Sequence, residues 1–206
     1  MIAAGDRVIL FGKGKTYVVR AGEGSIGTDL GMVDLSGLIG KEPGDVITTR
    51  SGKEFIIRLP RATDFFEQAK RSGAPMLPRD IGLVIGLTGM NKHDHVLDAG
   101  TGSGVAAVFF AGVAGRVTTC ERREEFYRIA AESIRETGLS NIEVVNRDVL
   151  EMDGRYDIVH LDLGITKEHV IHAFSLIRPG GYLVCYTPFF EQMGIVFDTA
   201  SGLFSE

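Results

Sequence analysis

A glycine-rich segment is the first part of the chain whose residue types and spacing could do chemistry. Residues 98–104 read Asp-Ala-Gly-Thr-Gly-Ser-Gly and continue an apolar run that is typical of a β-strand. The dinucleotide-binding fingerprint has its third glycine one position later, where it receives a pyrophosphate at a helix N-terminus. The tighter turn here lets the backbone approach an uncharged ribose or an amino-acid tail, and a glycine turn without ligand is the alternative. The residues expected to contact the ligand are Gly100, Thr101, Gly102, Ser103 and Gly104.

Two acidic residues after the next two predicted strands indicate which ligand this is. Glu121 lies 19 residues after Gly102, where an acidic side chain can accept hydrogen bonds from both ribose hydroxyls. Asp148 follows the third strand and can accept from an exocyclic amine, while the backbone amide of Val149 can donate to the ring beside it. A ligand with a ribose, an adenine, no phosphate and a positive charge suits such carboxylates. The sequence therefore predicts a site for S-adenosyl-L-methionine.

Further candidates lie at the ends of the fourth and fifth predicted strands. Asp162 ends the fourth strand at the sheet edge where ligands bind in open α/β folds, or else it caps the following loop. Tyr186, Thr187 and Pro188 can form a wall for a flat base, although Tyr186 could also be a core aromatic. Phe126 is expected either to cover the cofactor adenine or to pack in a helix core.

The elements that must position these residues alternate between strand and helix. Such alternation predicts a parallel sheet with right-handed crossovers, a doubly wound Rossmann-like α/β domain over residues 91–206. The predicted strands are 95–99, 116–120, 142–145, 156–161 and 182–186, and the predicted helices are 103–111, 123–137 and 167–177.

The N-terminal part of the chain has a different pattern. Residues 1–62 read as short strands separated by glycine turns, which predicts a small antiparallel β barrel or sandwich. Two hairpins are expected there, with a three-residue loop at 12–14 and a two-residue loop at 51–52. Residues 63–90 are expected to form linker helices, the first of them with Asp64 as its N-cap.

Composition excludes several classes of protein. The chain has 206 residues, 27 of them acidic and 22 basic, for a net charge of −5, so a broad basic nucleic-acid footprint is not expected. Cys120 and Cys185 each lie in an apolar run, which favours two reduced thiols. No targeting segment or run of about 18 apolar residues is found, so we expect a cytoplasmic protein without a membrane span. His169 and His172 lack the further ligands of a metal site.

With these features in place, the Rossmann-like part resembles a class I S-adenosylmethionine-dependent methyltransferase. The whole chain is similar to the tRNA adenine-58 N1-methyltransferase family, in its archaeal and bacterial homo-oligomeric form. The glycine loop is common to all class I enzymes, whereas Glu-Arg-Arg at 121–123 and Tyr-Thr-Pro-Phe-Phe-Glu-Gln at 186–192 are more specific. The other segments that resemble the family are 40–44, 69–71, 78–80, 161–163 and 179–181.

The resemblance implies a catalytic role for Asp162. In this family adenine N1 attacks the methyl carbon, and a carboxylate that accepts from the exocyclic amine stabilises the developing cation. Because N1 lies on the pairing edge, the base must be unpaired or flipped out of its stack. The resemblance also implies a tRNA substrate, a homo-oligomer (tetramer or dimer), and substrate contacts by Arg79, Tyr186, Thr187 and Pro188.

The chain departs from the family pattern at three places. Gly164 stands where the family has a proline after the motif aspartate, and Leu77 stands where it has an aromatic residue. The final antiparallel strand pair of a class I sheet is expected to be missing. Two alternatives therefore remain open, a methyltransferase for a small molecule or protein and a non-catalytic S-adenosylmethionine-binding subunit. The basic side chains that either face solvent or contact phosphates are Lys13, Lys15, Arg20, Lys70, Arg71, Arg122 and Arg123.

Overall fold

The computed structural model describes residues 1–68 and 75–204. The chain forms two compact units, Met1–Asp64 and Phe65–Glu206. The predicted family segment at 69–71, with Lys70 and Arg71, lies outside the described residues. Within the described part of the chain, no helix is both long and apolar enough to cross a membrane.

The first unit is an antiparallel β structure, as predicted. Four strands form one sheet in the order β2-β1-β6-β5, and β3 and β4 form a separate two-stranded ribbon. Alternate side chains of β1 and β6 point into one core, where Val8, Leu10, Phe55 and Ile57 are fully buried. The strands are β1 Arg7–Gly12, β2 Lys15–Arg20, β3 Ser25–Thr28, β4 Gly31–Asp34, β5 Val46–Thr48 and β6 Glu54–Arg58. A single 3-10 turn, Leu35–Leu38, follows β4.

Both predicted hairpin loops have the wrong length. Gly12 pairs with Lys15, so the first loop has two residues, Lys13 (φ 48°) and Gly14 (φ 74°), and not three. In the second hairpin Thr48 pairs with Glu54, which leaves residues 49–53 as a loop longer than the two residues predicted. The Thr49 hydroxyl accepts from the Lys53 amide at 2.9 Å, and this bond closes the wider turn.

The prediction that Asp64 caps a helix is also wrong. Helix α1 spans Ala62–Gln68, so Asp64 lies inside its first turn. The carboxylate is buried and accepts from both terminal nitrogens of Arg58, at 2.5 and 2.6 Å, and from the Arg61 amide at 2.8 Å. The Arg58 hydrogen bonds hold the pKa of Asp64 below its ordinary value, against the effect of burial. The buried acid therefore pairs with the arginine that ends β6.

The second unit has the predicted parallel sheet. Its strand order is β11-β10-β7-β8-β9 and all neighbours run parallel, so the order reverses between β7 and β10. No sixth strand joins this sheet within residues 75–204. The strands are β7 His95–Ala99, β8 Arg116–Cys120, β9 Ile142–Val145, β10 Tyr156–Leu161 and β11 Ile177–Cys185. The helices are α2 Pro78–Thr88, α3 Val105–Ala111, α4 Glu124–Arg135, α5 Lys167–Leu176 and α6 Phe190–Ala200.

The last strand departs from its predicted bounds. Tyr156 pairs with Ile177 and Ile158 pairs with Tyr182, so residues 178–181 loop out between the two paired positions. Regular pairing then runs to Cys185, and the Tyr186 amide adds one more hydrogen bond, to the carbonyl of Leu161, at 2.9 Å. The backbone at Tyr186 is thereby fixed directly beside the end of β10.

The central strands are buried on both faces, as expected for a parallel sheet between helices. Val96, Leu97, Val159 and Leu161 have no exposed surface, and Ile158 has 1%. Each such side chain contributes about 1.5–3 kcal/mol by leaving water. A rigid centre of this kind holds the loops at the strand ends in place.

Candidate functional site

A pocket opens at the carboxyl end of the parallel sheet. It lies beside the reversal of strand order between β7 and β10, which is where open α/β sheets bind their ligands. The connections after β7, β8, β9 and β10 form its walls. The lining residues are Gly100, Cys120, Glu121, Arg122, Arg123, Arg147, Asp148, Val149, Asp162, Leu163, Gly164 and His169. The structure thus brings together five of the residues singled out from sequence, Gly100, Glu121, Asp148, Val149 and Asp162.

The glycine loop is folded tightly against its neighbours. The amides of Gly100 and Thr101 both donate to the carbonyl of Cys120, at 3.0 and 3.3 Å. Gly100 has a φ of 94°, and a Cβ there would collide with the backbone carbonyl of Asp162. Gly104 has a φ of 82°, and a Cβ there would lie 2.9 Å from Cδ1 of Ile134. Only glycine fits both positions, because each needs a left-handed backbone and a close approach.

Two loop residues point inward. Thr101 and Ser103 are 5% and 6% exposed. Of the five loop residues expected to contact the ligand, Gly100 lines the pocket, whereas Thr101, Gly102, Ser103 and Gly104 are not among its lining residues. The Thr101 hydroxyl lies 2.6 Å from the hydroxyl of Thr119 on β8. Helix α3 begins at Val105, directly after the loop, and not at the predicted Ser103. The loop is therefore a short connection whose Thr101 side chain is hydrogen-bonded to Thr119 of the sheet.

Glu121 is held in place before any ligand arrives. Its carboxylate is 3% exposed and accepts from the backbone amide and Nε of Arg123, each at 3.0 Å, and from the Gly102 amide at 3.2 Å. Burial raises the pKa of Glu121, but the hydrogen bonds from Arg123 and Gly102 outweigh it and keep the pKa below its ordinary value. An ionised acceptor thus lies at the end of β8, as a ribose site requires.

Asp148 divides its two oxygens between structure and pocket. Oδ1 accepts from the Leu150 amide at 3.0 Å and caps the short 3-10 helix Val149–Glu151. Oδ2 lies 3.6 Å from Nη1 of Arg122. The Asp148 side chain is 27% exposed. The capped turn fixes the position of Val149, which is 3% exposed. A carboxylate oxygen is therefore presented beside the glycine loop.

Asp162 is the acid with the most perturbed ionisation in the pocket. Its backbone amide donates to the carbonyl of Ala99 at 2.9 Å, which places it next to the start of the glycine loop. Burial raises the pKa of Asp162 to about 6, with the charge of Asp98 adding to the effect and His160 opposing it. A carboxyl group with a pKa near neutrality in a cleft is a functional-site candidate.

The residues expected to bind the substrate lie along one side of the strand end. Tyr186 is half-buried, and its hydroxyl lies 3.5 Å from Oδ2 of Asp80, at the start of α2. Arg79 is mostly exposed and its Nε donates to Oδ1 of the same Asp80 at 3.3 Å. Thr187 is half-buried and Pro188 is exposed. Tyr186 is therefore not a core aromatic and is joined to Arg79 through Asp80.

Phe126 is not among the residues that line the pocket. The guanidinium of Arg123 lies over its ring, 3.9 Å from the centroid. This contact holds the arginine side chain that also bonds Glu121. Phe126 therefore contacts Arg123, a residue of the pocket lining, and does not line the pocket itself.

Three residues near the site received no functional role from sequence. His160 is fully buried on β10, and Nδ1 lies 2.7 Å from Oδ1 of Asp98. His169 lines the pocket, although sequence reasoning considered it only as a metal ligand. Gln192 has a buried Oε1 without a hydrogen-bond partner in the described part of the chain, and Nε2 lies 4.0 Å from where Gly164 would carry a Cβ. Of these three residues, only His160 has a signal in the sequence, because a histidine inside an apolar strand needs a buried hydrogen-bond partner.

The cysteine thiols and the possible metal-ligating side chains are further candidates for chemical roles at this site. Burial raises the pKa of both free thiols, Cys120 and Cys185, to about 12, so they are not nucleophiles at neutral pH. Across residues 1–68 and 75–204, no group of three or more histidine, cysteine or acidic side chains is arranged to hold a metal ion.

Comparison with known proteins agrees with this site. A family model described as the tRNA methyltransferase complex GCD14 subunit matches residues 75–202. The tRNA (adenine(57)-N(1)/adenine(58)-N(1))-methyltransferase of Methanocaldococcus jannaschii is 28% identical over 88% of this chain and 74% of its own. The tRNA (adenine(58)-N(1))-methyltransferase of Thermus thermophilus is 30% identical over the same shares. A crystal structure titled as a SAM-dependent O-methyltransferase from Thermotoga maritima is 26% identical, with a TM-score of 0.83 over 98% of this chain and 78% of that one.

The matched family and the fold imply S-adenosylmethionine as the methyl donor, and the pocket fits it. The pocket has a glycine at position 100 where a Cβ would not fit, a Glu121 carboxylate whose pKa is held below its ordinary value, and a partly exposed Asp148 carboxylate, which are the kinds of groups that bind a ribose and an amine. The family match spans more than half of the chain, and it covers every residue of the pocket. The chain therefore belongs to the GCD14 family of tRNA methyltransferases.

Proposed function

We propose that this chain transfers a methyl group from S-adenosylmethionine to N1 of an adenine in tRNA, at position 58. The observation that carries the proposal is the placement of Asp162, a half-buried carboxylate with a raised pKa beside the glycine loop. The names of the two curated relatives, both tRNA adenine N1-methyltransferases, support the choice of substrate.

Asp162 supplies the charge that the reaction needs. The donor provides a methyl group on a positively charged sulfur, and this makes the methyl carbon electrophilic. Adenine N1 uses its lone pair to bond that carbon, so positive charge moves into the base. The Asp162 carboxylate accepts from the exocyclic amine and stabilises this charge inside a water-poor pocket. It can also take up a proton afterwards, because its pKa of about 6 is close to neutrality.

The donor is held by groups at three strand ends. Gly100 gives close approach of backbone, and Glu121 accepts from the ribose hydroxyls. Asp148 accepts from the adenine amine of the donor, and Val149 presents its amide beside that ring. Holding the methyl carbon and N1 in line supplies a further large part of the rate.

The target base requires its own binding surface. Tyr186, Thr187 and Pro188 follow β11 beside Asp162 and provide a wall for a flat base that has left its stack. Gln192 lies next to the turn at Gly164, and its amide can accept from the N6 amine while it donates to N7. Recognition through that edge leaves N1 free to react. Arg79 supports the same surface through Asp80.

We also infer that the protein acts as a homo-oligomer, a dimer or tetramer, in the cytoplasm where tRNA is processed. Helix α6 has no buried residue, and Phe190 and Phe197 are 79% and 70% exposed. Large exposed aromatic side chains on one helix are typical of interfaces. Light scattering coupled to size-exclusion chromatography measures the mass directly, and a monomer at micromolar concentration would contradict this part.

A second candidate is methyl transfer to oxygen on a small molecule or protein. The crystal structure from Thermotoga maritima is titled as an O-methyltransferase, and it matches 98% of this chain. The two candidates differ in the nucleophile, because oxygen must lose a proton to a base whereas adenine N1 attacks as the neutral base.

Tritiated S-adenosylmethionine distinguishes the candidates. The purified chain is incubated with unmodified bulk tRNA, and the RNA is digested to nucleosides. We expect label in N1-methyladenosine for the unaltered protein and none for Asp162→Asn. Donor binding without any label in RNA would overturn the proposal, and label in added protein or small-molecule acceptors would favour the second candidate.

A further inference from the structure

Four buried polar side chains form one continuous chain of hydrogen bonds beneath the glycine loop. Thr101 of the loop lies 2.6 Å from Thr119 on β8, and Thr119 donates to Oδ2 of Asp98 on β7 at 2.7 Å. His160 on β10 completes the chain, with Nδ1 at 2.7 Å from the other oxygen of Asp98. The four side chains are between 0% and 5% exposed. We call them the Thr101–His160 chain.

The direction of each hydrogen bond in the chain can be assigned. Thr119 donates to Oδ2 of Asp98, and the tautomer of His160 that carries its proton on Nδ1 donates to Oδ1. Thr119 has a single hydroxyl hydrogen, and Asp98 uses it. The Thr101 hydroxyl must therefore donate to Oγ1 of Thr119. The loop residue is thus a donor that the interior orients.

Strand register explains how the chain spans the sheet. Asp98 lies opposite Thr119 in the β7–β8 pair and opposite His160 in the β7–β10 pair. Three adjacent strands are therefore linked through one row of side chains. His160 is also two residues before Asp162, so the row joins the glycine loop to the strand that carries the catalytic carboxylate.

A purely structural core has no need of such a row. Burying a charge costs free energy, and apolar residues of similar volume are often as stable as a buried charged pair. Nε2 of His160 has no hydrogen-bond partner in the described part of the chain, which adds to that cost. The edge of the His160 ring packs near Phe110, with centroids 5.2 Å apart. The ring is held by this contact and by Asp98.

We propose that the Thr101–His160 chain holds the glycine loop in its donor-binding conformation, and that Thr119 and His160 are positioning residues for S-adenosylmethionine. The loop that they anchor carries Gly100, the position of closest backbone approach in the pocket. The proposal concerns the methyl donor, so it does not depend on which substrate accepts the methyl group.

The neighbouring residue on β8 provides a matched control. Thr118 is also a buried threonine, 4% exposed, and its hydroxyl lies 2.9 Å from Nε2 of His95. Successive strand residues point to opposite faces, so this threonine–histidine pair lies on the other side of the sheet from the loop anchor. Thr118→Val and Thr119→Val thus remove the same chemical group from the same strand at similar depth.

Isothermal titration of S-adenosylmethionine tests the proposal. We expect Thr119→Val to weaken donor binding by about tenfold, because it leaves Asp98 and Thr101 each short of a partner. Thr119→Ser keeps the hydroxyl and should restore affinity to within about twofold to threefold. Thr118→Val should lower the unfolding temperature but leave the dissociation constant unchanged. Equal, small changes in affinity for the two valine variants would overturn the proposal.

A second pair of measurements covers the case in which Thr119→Val is too unstable to study. His160→Phe keeps an aromatic ring at this position but removes the donor to Asp98, and it should also weaken donor binding. Hydrogen exchange of the amides at residues 100–104 should become faster in His160→Phe and stay unchanged in Thr118→Val. Unaltered exchange and unaltered affinity in His160→Phe would show that the chain is only structural.

Discussion

Arg123 donates both its backbone amide and its Nε to the same oxygen of Glu121, each at 3.0 Å. The other oxygen, Oε2, accepts from the Gly102 amide at 3.2 Å. The acid expected to bind the ribose is therefore oriented by its own sequence neighbour and by the glycine loop together. Nη2 of Arg123 also lies 3.5 Å from Oε2. A carboxylate has about four lone-pair sites, so a ribose hydroxyl would take the place of the longer contacts at Oε2.

Loss of the Glu121 carboxylate should weaken the binding of S-adenosylmethionine. Glu121→Ala removes the acceptor and leaves the Gly102 amide and the Arg123 guanidinium without their partner, so we expect at least a tenfold loss of S-adenosylmethionine affinity by titration. Arg123→Ala keeps the backbone amide and should cost only about threefold. If Glu121→Ala binds the donor as tightly as the unaltered protein, Glu121 does not hold the ribose.

The pH dependence of catalysis follows from Asp162. Burial raises the pKa of this carboxyl to about 6, so it is protonated below that pH and ionised above it. Only the ionised form can accept from the exocyclic amine and stabilise the cationic base. The rate measured for kcat/KM toward tRNA should therefore rise as pH increases through about 6. A rate that is flat between pH 5 and 7, with intact donor binding, would exclude this role.

The same shift predicts an effect on stability. The folded pKa of Asp162 lies above its ordinary value of 3.8, so the folded state binds the proton more tightly between pH 3.8 and about 6. The stabilising contribution is present below this window and is lost as pH rises through it. Asp162→Asn should thus be inactive yet unfold at a higher temperature than the unaltered protein at pH 7.5, and at a similar temperature at pH 4. Scanning calorimetry at the two pH values measures this, and a destabilised variant at pH 7.5 would contradict it.

Gly100 should not tolerate a side chain. Its φ is 94° and a Cβ would collide with the carbonyl of Asp162, so Gly100→Ala has to displace either the loop or the end of β10. We expect loss of measurable donor binding. Gly138→Ala is the matched control, because that glycine also has a positive φ of 75° but nothing within 4 Å of a Cβ. The control should cost about 1 kcal/mol of unfolding free energy and leave donor affinity intact.

Gln192 provides a test on the substrate side. Gln192→Ala should lower kcat/KM for tRNA by about tenfold, because the amide would no longer pair with the base, whereas donor affinity should stay constant. Met193→Ala changes the neighbouring exposed residue on the same helix and serves as the control. Equal effects of the two variants on kcat/KM would remove Gln192 from the base-binding surface.

Local pattern predicted much of this structure, because strands and crossover helices leave a signal within their own residues. The apolar runs located β7 to β10 with the bounds that the structure shows, and the parallel sheet followed from their alternation with helices. The glycine spacing located the loop. The strands β3 and β4 were missed, since each has only four residues and one of the four is a glycine, a residue that is depleted in strands.

Contacts between distant residues could not be read from local pattern. The hairpin loops were misjudged because register depends on pairing across the sheet, as Gly12 with Lys15 shows. The pairing of Asp64 with Arg58 could not be predicted, because Arg58 belongs to a strand and not to the same helix. Without that contact, an aspartate at the start of a helical pattern is interpreted as an N-cap. The contact of His160 with Asp98 needs the strand order, which places β10 beside β7 although 62 residues separate the two side chains.

Nucleoside mass spectrometry of a single tRNA transcript tests directly whether this chain methylates N1 of adenosine 58. The transcript is incubated with the chain and S-adenosylmethionine, beside a transcript in which the adenosine at position 58 is replaced by guanosine. We expect about one N1-methyladenosine per molecule of the first transcript, none in the second, and none with Asp162→Asn. Equal methylation of both transcripts, or methylation that persists in Asp162→Asn, would contradict this expectation.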